Sequence, residues 1–304
     1  MARITVVGSI NMDLVVRAPR FAQPGETIAG DTFFAVSGGK GANQAVAAQR
    51  LGGQVTLVGA VGEDGFGTSM AQGLADEGID LHHLDVRGGH VSGVALITVN
   101  DQGENTIIVV SGANATLTTD DVHTAREAIV SAEVLVLQLE IPLDVVQLAA
   151  ALGHDAGRIV VLNAAPAMLL PAALLPLVDY LVVNETELFA VAGTGGRDHA
   201  TAVGALRARG AGAIVVTLGS AGARLIDRDG HVTFLPAYTV DVVDTTAAGD
   251  AFVGALAIAL AEGLPPVEAL RRGNGAGALA VTLAGAQPSL PSRQQLDAWL
   301  HAHA

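Results

Sequence analysis

Residues 134–162 have the sequence VLVLQLEIPLDVVQLAAALGHDAGRIVVL. An apolar run at Val134–Leu137 precedes a segment with helical spacing at Leu143–Leu152, and a second apolar run follows at Ile159–Leu162. Apolar runs that do not alternate with polar residues indicate strands that are covered on both faces. The stretch therefore predicts a β-strand, a crossover helix and a second strand parallel to the first.

The same alternation extends in both directions along the chain. Further buried strands are predicted at Ile4–Val7, Val55–Val58, Tyr180–Val183 and Ile214–Thr217. Helices are predicted at Gly41–Leu51, Gly67–Glu77, Glu185–Ala192, Ala200–Arg209 and, after a hairpin at Asp229-Gly230, at Ala248–Ala261, Pro266–Thr282 and Ser292–Ala302. The predicted fold class is α/β, with a doubly wound, mainly parallel central sheet and helices on both faces.

Two segments do not follow this alternation. They are Asn11–Ser37 and His90–Val110, and the second contains the turn Asn100-Asp101-Gln102-Gly103 between alternating strands. We expect inserted antiparallel strands that form a small sheet, here called the lid, over the carboxyl end of the main sheet. The chain is therefore interpreted as one domain, 1–304, with lid strands inserted from about 11–37 and 90–110.

The composition excludes several classes of protein. The 304 residues contain no cysteine, which excludes disulfides, thiolate catalysis and Cys-ligated zinc. With 16 Lys+Arg against 30 Asp+Glu, the chain lacks the basic clusters that bind nucleic acid or an anionic membrane surface. The N-terminal residues have no basic or apolar region typical of a signal peptide. We expect a cytoplasmic enzyme that binds neither nucleic acid nor membrane.

The segment Asp244–Asp250, DTTAAGD, leads directly into the predicted helix Ala248–Ala261. The backbone N–H groups of Ala247 to Asp250 would lie at a helix N-terminus, which favours an anion such as a phosphoryl group in transfer. A carboxylate at this place is either an ordinary acid of the first helical turn or a catalytic base. The string alone leaves both interpretations open.

A second glycine-rich element, Ser37–Gln44, opens the helix that ends at Leu51. It is not a P-loop, because Gly41 rather than Ser or Thr follows Lys40 and the spacing to an upstream glycine does not match. Its glycines would let a ligand approach the backbone, with Lys40 and Asn43 as polar groups at the helix start. A plain turn that caps the helix is the alternative.

Other polar side chains follow predicted strands. Asn11, Asp13 and Glu140 form a set that suits sugar hydroxyl groups, although each residue type is also common in turns. Asn184 and Glu187 either hold a hydrated Mg²⁺ or cap a helix. The turn Thr217–Gly222 could pass beside the phosphates or adenosine of a nucleotide.

These elements, in this order, resemble the ribokinase-like (PfkB) family of carbohydrate kinases over nearly the whole chain. The run GGKGANQAVAA, from Gly38, is the most specific block. The other blocks are Gly8–Asp13, Pro24–Thr27, Gly112–Ala115, Asn184–Glu187, Thr217–Gly222, Asp244–Asp250 and Gly285–Ser289. The resemblance implies phosphorylation of D-ribose at O5, with ATP as co-substrate, Mg²⁺ and an activating K⁺ as cofactors, and a homodimer formed through the lid.

The resemblance also implies roles for individual residues. Asp250 would be the general base, and the amides of Ala247, Ala248, Gly249 and Asp250 would form the anion hole. The implied ribose ligands are Asn11, Asp13, Gly39, Lys40, Asn43, Glu140 and Asp250. The implied nucleotide ligands are Asn184, Thr217, Gly219, Ser220, Gly222, Gly249 and Asn274. Glu187, with Asn184, would hold Mg²⁺, and the implied K⁺ positions are Asp244, Thr246, Ala280, Leu283, Gly285 and Ser289.

Three alternatives remain open at this stage. The first is another kinase of the family, acting on deoxyribose, a ketose or a nucleoside such as adenosine. A nucleoside would need room and stacking for its base, whereas the polar set suits a small free sugar. The second is a non-catalytic sugar-binding protein, which would have no need of Asp250 beside an anion hole. The weakest is a dinucleotide oxidoreductase, because the first strand is not followed by G-x-G-x-x-G.

Overall fold

The computed structural model describes residues 2–196 and 198–303. The strands are β1 (Arg3–Val7), β2 (Asn11–Arg17), β3 (Thr32–Gly38), β4 (Gln54–Gly62), β5 (Leu84–Arg87), β6 (Gly93–Val99), β7 (Asn105–Val110), β8 (Val134–Leu137), β9 (Ile159–Asn163), β10 (Tyr180–Asn184), β11 (Ala213–Thr217), β12 (Ala223–Ile226) and β13 (Val232–Leu235). The helices are α1 (Lys40–Arg50), α2 (Gly65–Asp76), α3 (Thr119–Thr124), α4 (Arg126–Ser131), α5 (Leu143–Asp155), α6 (Glu185–Ala192), α7 (His199–Ala208), α8 (Ala248–Ala261), α9 (Pro266–Ala280) and α10 (Arg293–Ala302).

The described residues form a main sheet of nine strands in the order β13-β12-β11-β10-β9-β8-β1-β4-β5. All neighbouring pairs are parallel except those of β12, which pairs antiparallel with β11 and with β13. The unit β8-α5-β9 pairs Leu135 with Val160, as residues 134–162 predicted. The hairpin at Asp229-Gly230 joins β12 to β13. The predicted α/β class is confirmed.

Both faces of the main sheet are buried. In β8, Val134 and Val136 pack in one core cluster, together with residues of α1, α8, α9 and α10. Leu135 and Leu137 pack in a second cluster, together with residues of α5, α6 and α7. The continuously apolar strands therefore arise because successive side chains enter two different cores.

Small residues allow α1 and α8 to lie very close together. A Cβ added at Gly254 in α8 would lie 2.5 Å from the Cβ of Ala47 in α1. Each helix has polar residues at its N-terminus. The close contact between α1 and α8 therefore fixes the polar residues of one helix relative to those of the other. A larger residue at 254 would push the two helices apart.

The lid is a four-stranded sheet in the order β3-β2-β6-β7. The prediction of an antiparallel lid is wrong for its central pair, because β2 and β6 run parallel, with Asp13 opposite Ala95. The outer pairs, β2 with β3 and β6 with β7, are antiparallel. The physical reason is that β2 follows β1 and β6 follows β5. These two strands of the main sheet end at the same edge, so both lid strands start there and run the same way.

Three short elements were not predicted. They are the edge strand β5 and the helices α3 and α4, of four, six and six residues. Elements of this length are too short to establish a period of 2 or 3.6 residues. Among the described residues, no helix is long and apolar enough to cross a membrane.

Candidate active site

The start of α8 lies at the centre of the candidate site. Its N-cap, Ala247, has φ 58° and is the one residue other than glycine with a positive φ in the described part of the chain. This left-handed turn leads into the helix, whose first N–H groups have no acceptor within it. A Cβ added at Gly249 would meet nothing within 4 Å, so space for a ligand lies beside these amides.

A cavity of about 230 Å³ opens beside this helix start. Its lining includes seven residues that the sequence singled out: Lys40, Asn184, Glu187, Thr217, Ala247, Gly249 and Asp250. It also includes Asn163, Ala165, Val182, Val183, Thr245 and Val253, which were not predicted as site residues. The carboxyl ends of β9, β10 and β11 meet here, because parallel strands place these ends at one edge.

Two amide side chains of α1 hold the Asp250 carboxylate. Asn43 Nδ2 donates to Asp250 Oδ2 at 2.9 Å, and Gln44 Nε2 donates to Asp250 Oδ1 at 2.9 Å. All three residues are buried. Burial raises the pKa of Asp250, and Glu140 adds to this, whereas Lys40, Asn43 and Gln44 act in the opposite direction. The carboxylate is thus fixed in orientation on both oxygens while it borders the cavity.

The first lid strand and the turn before α1 fit closely together. A Cβ added at Gly38 would lie 2.3 Å from Asp13 Oδ2, and one added at Gly39 would lie 2.6 Å from Asn11 N. Gly39 also has φ 88°, which strains any other residue. Both glycines therefore let the turn lie against β2, which brings Asn11 and Asp13 beside the start of α1.

Glu140 is held at the same helix start. Ser9 Oγ donates to Glu140 Oε2 at 2.5 Å, and the Lys40 backbone N–H donates to the same oxygen at 3.2 Å. Ser9 Oγ also accepts a hydrogen bond from Gly41 N at 3.3 Å. Residues that are about a hundred positions apart thus form one cluster at the N-terminus of α1.

Several carboxylates lie around one lysine in this cluster. Burial raises the pKa of Asp13 to about 7, and the charges of Glu140 and Asp250 contribute to the rise. Burial alone would lower the pKa of Lys40, but Asp250, Glu140, Glu187 and Asp13 together raise it. Lys40 is therefore a cation at neutral pH, in the position of a counter-ion to the surrounding acids and to any phosphate that enters the cavity.

Asn184 and Glu187 form a capping box at the start of α6. Asn184 Oδ1 accepts from Glu187 N, and Glu187 Oε2 accepts from Asn184 N, both at 2.8 Å. The capping alternative is therefore part of the structure. Glu187 Oε1 accepts no hydrogen bond from the described residues, and burial raises the pKa of this carboxyl group. Since Mg²⁺ takes one or two carboxylate oxygens besides waters and phosphates, Glu187 fits such an ion without losing its cap.

The other predicted nucleotide residues lie around the turn after β11. Gly219 and Ser220 are exposed on this turn. Gly222 has φ 114°, and a Cβ there would lie 2.1 Å from Leu235 O, so this glycine shapes the turn. Asn274 Nδ2 donates to Leu235 O and Pro236 O, both at 3.3 Å. Gly222 thus shapes this turn, and Asn274 holds the chain at the end of β13. In the described structure neither residue lines the cavity.

Asp244 links two of the segments predicted to hold the monovalent cation. Its Oδ1 accepts from Thr246 N at 2.9 Å and from Thr246 Oγ1 at 2.7 Å, and its Oδ2 accepts from Gly285 N at 2.9 Å. Burial opposes ionisation, but these hydrogen bonds prevail and lower the pKa of Asp244. The result is an anion held in a fixed orientation, and its oxygens are of the kind that binds a cation such as K⁺.

The remaining predicted cation positions lie at the end of α9 and in the turns after it. Leu283 N donates to Ala280 O at 3.2 Å, and Ser289 Oγ donates to Ala286 O at 2.8 Å. The Leu283 side chain is exposed, so its contribution to an ion site would be its carbonyl. The structure therefore joins Asp244, Thr246 and Gly285 directly, while Ala280 ends α9 and Leu283 and Ser289 lie in the turns that follow it.

The sequence was compared with models of protein families and with known proteins. The model of the pfkB family of carbohydrate kinases matches residues 1–293. The chain belongs to the PfkB family. A ribokinase of Haemophilus influenzae is 41% identical over 295 residues, which are 96% of each chain. A deoxyribokinase of Salmonella typhi is 36% identical and aligns with 98% of each chain.

The chain also shares its fold with solved structures. An Arabidopsis thaliana ribokinase, solved in complex with ribose and ATP, has a TM-score of 0.90 and is 34% identical, with 99% of each chain covered. This PfkB kinase therefore shares the whole architecture with a solved ribokinase, including a mainly parallel main sheet and a separate four-stranded lid. It is a ribokinase-like sugar kinase.

Sequence reasoning missed four polar residues of the PfkB kinase site. Gln44 and Asn163 contact each other and Gln44 contacts Asp250, while Ser9 binds Glu140. Asn114 holds the start of β2, since its Oδ1 accepts from Ile10 N and its Nδ2 donates to Asn11 Oδ1 at 2.8 Å. Three of the four lie in blocks that carry the resemblance, and Asn163 directly follows a predicted strand. These residues could have been found in the sequence as polar residues within otherwise apolar or glycine-rich blocks.

Proposed function

We propose that this chain is a ribokinase, which transfers the γ-phosphoryl group of ATP to O5 of D-ribose and gives D-ribose 5-phosphate and ADP. One observation carries the proposal: the Asp250 carboxylate is held on both oxygens at the edge of a cavity, in the first turn of α8. A base and an anion-binding helix start are thus within one helical turn. A base that orients the acceptor hydroxyl group and donors that stabilise the phosphoryl oxygens both assist phosphoryl transfer.

In the proposed reaction Asp250 accepts the proton of the sugar O5 hydroxyl group. The oxygen forms a bond to the γ-phosphorus, and the bond from that phosphorus to the β–γ bridging oxygen breaks, so that ADP leaves with the electron pair. The amides of Ala247, Ala248, Gly249 and Asp250 bind the oxygens of the phosphoryl group in flight. Lys40 adds a positive charge on the same side.

The polar cluster around α1 supports a small sugar as the acceptor. Asn11, Asp13, Gly39, Lys40, Asn43 and Glu140 are proposed to bind its hydroxyl groups. Asn43 Oδ1 is buried and has no partner among the described residues, so a ligand hydroxyl would satisfy it. Deoxyribose is the second candidate acceptor, because a deoxyribokinase aligns with 98% of this chain.

ATP is proposed to bind along the turn after β11, through Asn184, Thr217, Gly219, Ser220 and Gly249. Gly222 would shape this turn, and Asn274 would hold the end of β13 beside it. Glu187, with Asn184, would hold Mg²⁺, which neutralises phosphate charge when bound. The segment that Asp244 ties to Gly285 would hold K⁺, together with Thr246, Ala280, Leu283 and Ser289. This segment leads into Ala247, so an ion there would stabilise the left-handed turn before α8.

The chain is proposed to form a homodimer through the lid. Its face opposite Asp13 exposes Phe33, Leu96, Ile108 and Val110, with 45–65% of each residue accessible to solvent. Large apolar side chains that are exposed together on one face are typical of a protein–protein interface. A second copy is the proposed occupant, because two identical lids can pair such faces about a two-fold axis.

The proposed function is tested by coupled ADP release with Mg·ATP, with and without K⁺. The acceptors are D-ribose, 2-deoxyribose, fructose, adenosine and none. We expect ribose-dependent turnover that rises with K⁺. A higher kcat/KM for deoxyribose would move the substrate assignment within the family. If ribose raised the melting temperature and no acceptor gave turnover, the non-catalytic alternative would replace the proposal.

A further inference from the structure

Asp250 lies at one end of a chain of buried amide side chains. Gln44 Nε2 donates to Asp250 Oδ1 at 2.9 Å and to Asn163 Oδ1 at 3.0 Å. Gln138 Nε2 in turn donates to Gln44 Oε1 at 2.7 Å. Gln44 is 1% exposed and Gln138 is fully buried, so solvent reaches neither amide. Apolar side chains could fill this part of the core at a lower desolvation cost. The use of polar groups here therefore indicates a function for them.

The hydrogen bonds between these amide side chains can be donated in one direction only. An ionised carboxylate accepts hydrogen bonds, so Gln44 must present its NH₂ group to Asp250. The Gln44 carbonyl then needs a donor, which the Gln138 amide supplies. Gln138 Oε1 itself has no partner among the described residues, and a Cβ added at Gly8 would lie 1.9 Å from it. Turning the Gln138 amide over would set two carbonyl oxygens against each other.

The two oxygens of Asp250 therefore have different surroundings. Oδ1 faces the buried amides through Gln44, whereas Oδ2 accepts from Asn43, which borders the proposed sugar site. We propose that Gln44 is a positioning residue that fixes the Asp250 carboxylate with Oδ2 towards the acceptor hydroxyl, and that Gln138 fixes the direction of the Gln44 amide. The proposal rests on the phosphoryl transfer proposed above.

The charged groups around Asp250 determine how a substitution at Gln44 would affect the pKa of Asp250. The charged groups that face Asp250 are Lys40 at the start of α1, Asp13 in β2, Glu140 after β8 and Glu187 in α6. Three of these four are acids, and burial raises the pKa of Asp250, whereas Lys40 and the donors of Asn43 and Gln44 act in the opposite direction. A carboxylate in place of the Gln44 amide would add a further like charge next to Oδ1.

The test is Gln44→Glu, which keeps the shape of the side chain. We expect kcat to fall at least tenfold and the acidic limb of the kcat–pH profile to move upward by about one pH unit or more. The KM for ATP should change less than threefold, because Gln44 does not line the nucleotide side of the cavity. The matched control is Gln49→Glu on the same helix, whose amide oxygen accepts from Val55 N and is remote from Asp250.

Two further variants keep the test decisive. In the Asp250→Asn background, Gln44→Glu should lower kcat by less than twofold, since no base remains to be oriented. Gln138→Met removes the donor to Gln44 without touching Asp250, and it should move the acidic limb in the same direction by a smaller amount. If melting curves show that the Gln44→Glu variant does not fold, the Gln138→Met variant takes its place in the test. An unmoved acidic limb in the folded variant, or full additivity with Asp250→Asn, would overturn the proposal.

The inference can fail separately from the proposed function. A ¹³C NMR titration of the Asp250 carboxyl group, assigned with the Asp250→Asn variant, needs no substrate. An Asp250 pKa that is higher in Gln44→Glu than in the wild type, and unchanged in Gln49→Glu, supports the role of Gln44 whichever sugar is phosphorylated. An equal pKa in all three proteins contradicts it even if ribose is the substrate.

Discussion

At the scale of single residues, the site concentrates buried acids around one cation. Asp13 and Asp250 are buried, and both have raised pKa values, mainly because of desolvation. Such a cluster is unfavourable for the free protein, since like charges repel and water is excluded. Groups that are arranged for a ligand rather than for stability have this property, which supports a binding and catalytic role.

Asp250→Asn tests the base directly. Because the amide keeps the shape of the side chain but cannot accept the hydroxyl proton, we expect kcat to fall by about 10³-fold. The KM for ribose should change by only a few-fold. Steady-state kinetics measures both, with the melting temperature as a control for folding. Turnover within tenfold of the wild type would remove Asp250 from the role of base.

Asp13 should make stability depend on pH. Its pKa of about 7 in the folded chain exceeds the ordinary value of 3.8, so the folded state binds more protons than the unfolded state between about pH 4 and pH 7. The free energy of unfolding should therefore fall as the pH rises through this window, by roughly 2–3 kcal/mol between pH 5 and pH 8. Urea unfolding of the wild type and Asp13→Asn measures the difference, and identical pH dependence in the two would contradict the assignment.

At the scale of elements, α1 connects the two halves of the site. Its first five residues include Lys40, Asn43 and Gln44. Its last residue, Arg50, reaches the turn that contains part of the proposed cation site. Arg50 Nη1 donates to Gln287 O at 2.7 Å and to Leu290 O at 2.9 Å, and the guanidinium group also pairs with Glu77. One helix thus fixes the acid cluster and the segment after α9 relative to each other.

Arg50→Met should destabilise the protein more than the loss of an ordinary surface ion pair. Met keeps the packing of the aliphatic stem but leaves two carbonyl groups and Glu77 without their donor, which we expect to cost about 2 kcal/mol. The control is Arg3→Met, which removes the more exposed pair with Glu133 and should cost less than about 1 kcal/mol. Urea denaturation gives both values, and equal losses would show that the Arg50 contacts add nothing specific.

At the scale of the whole molecule, the lid carries two residues of the proposed sugar site, Asn11 and Asp13, and exposes an apolar face at the same time. Successive residues of a strand point to opposite faces, so Asp13 faces the site while its neighbours Met12 and Leu14 lie on the other face. Ile108 lies on that other face, opposite Leu96 across β6 and β7. A dimer formed through this face would therefore stiffen the strand that carries Asn11 and Asp13.

Light scattering tests the dimer. We expect twice the chain mass of 30.6 kDa for the wild type, and the mass of one chain for Ile108→Arg, because a buried guanidinium group would oppose pairing of the apolar faces. Val86→Arg is the matched control, since Val86 is equally exposed but lies on β5 of the main sheet. A monomeric wild type would rule the dimer out, and a dimeric Ile108→Arg would move the interface elsewhere.

Much of the fold could be predicted because it depends on local periodicity. The helices Glu185–Ala192 and Ala248–Ala261 and the strand Val134–Leu137 have the predicted bounds. The lid was correctly predicted as two inserted segments, but the pairing of its strands was not predicted correctly. The direction of β6 relative to β2 depends on where the preceding strands of the main sheet end. Cytoplasmic localisation and the single-domain interpretation stay predictions.

The sequence by itself determined the α/β class and the family, and it predicted an anion-binding start of α8, because each depends on residues that are adjacent along the chain. Only the tertiary structure joined Asn43 to Asp250 across 207 positions, and placed Gln44 and Gln138 behind that carboxylate. Spacing along a strand or helix specifies which face a side chain occupies. It does not specify which distant side chain lies opposite, because that contact follows from the strand order and from the close packing of α1 on α8.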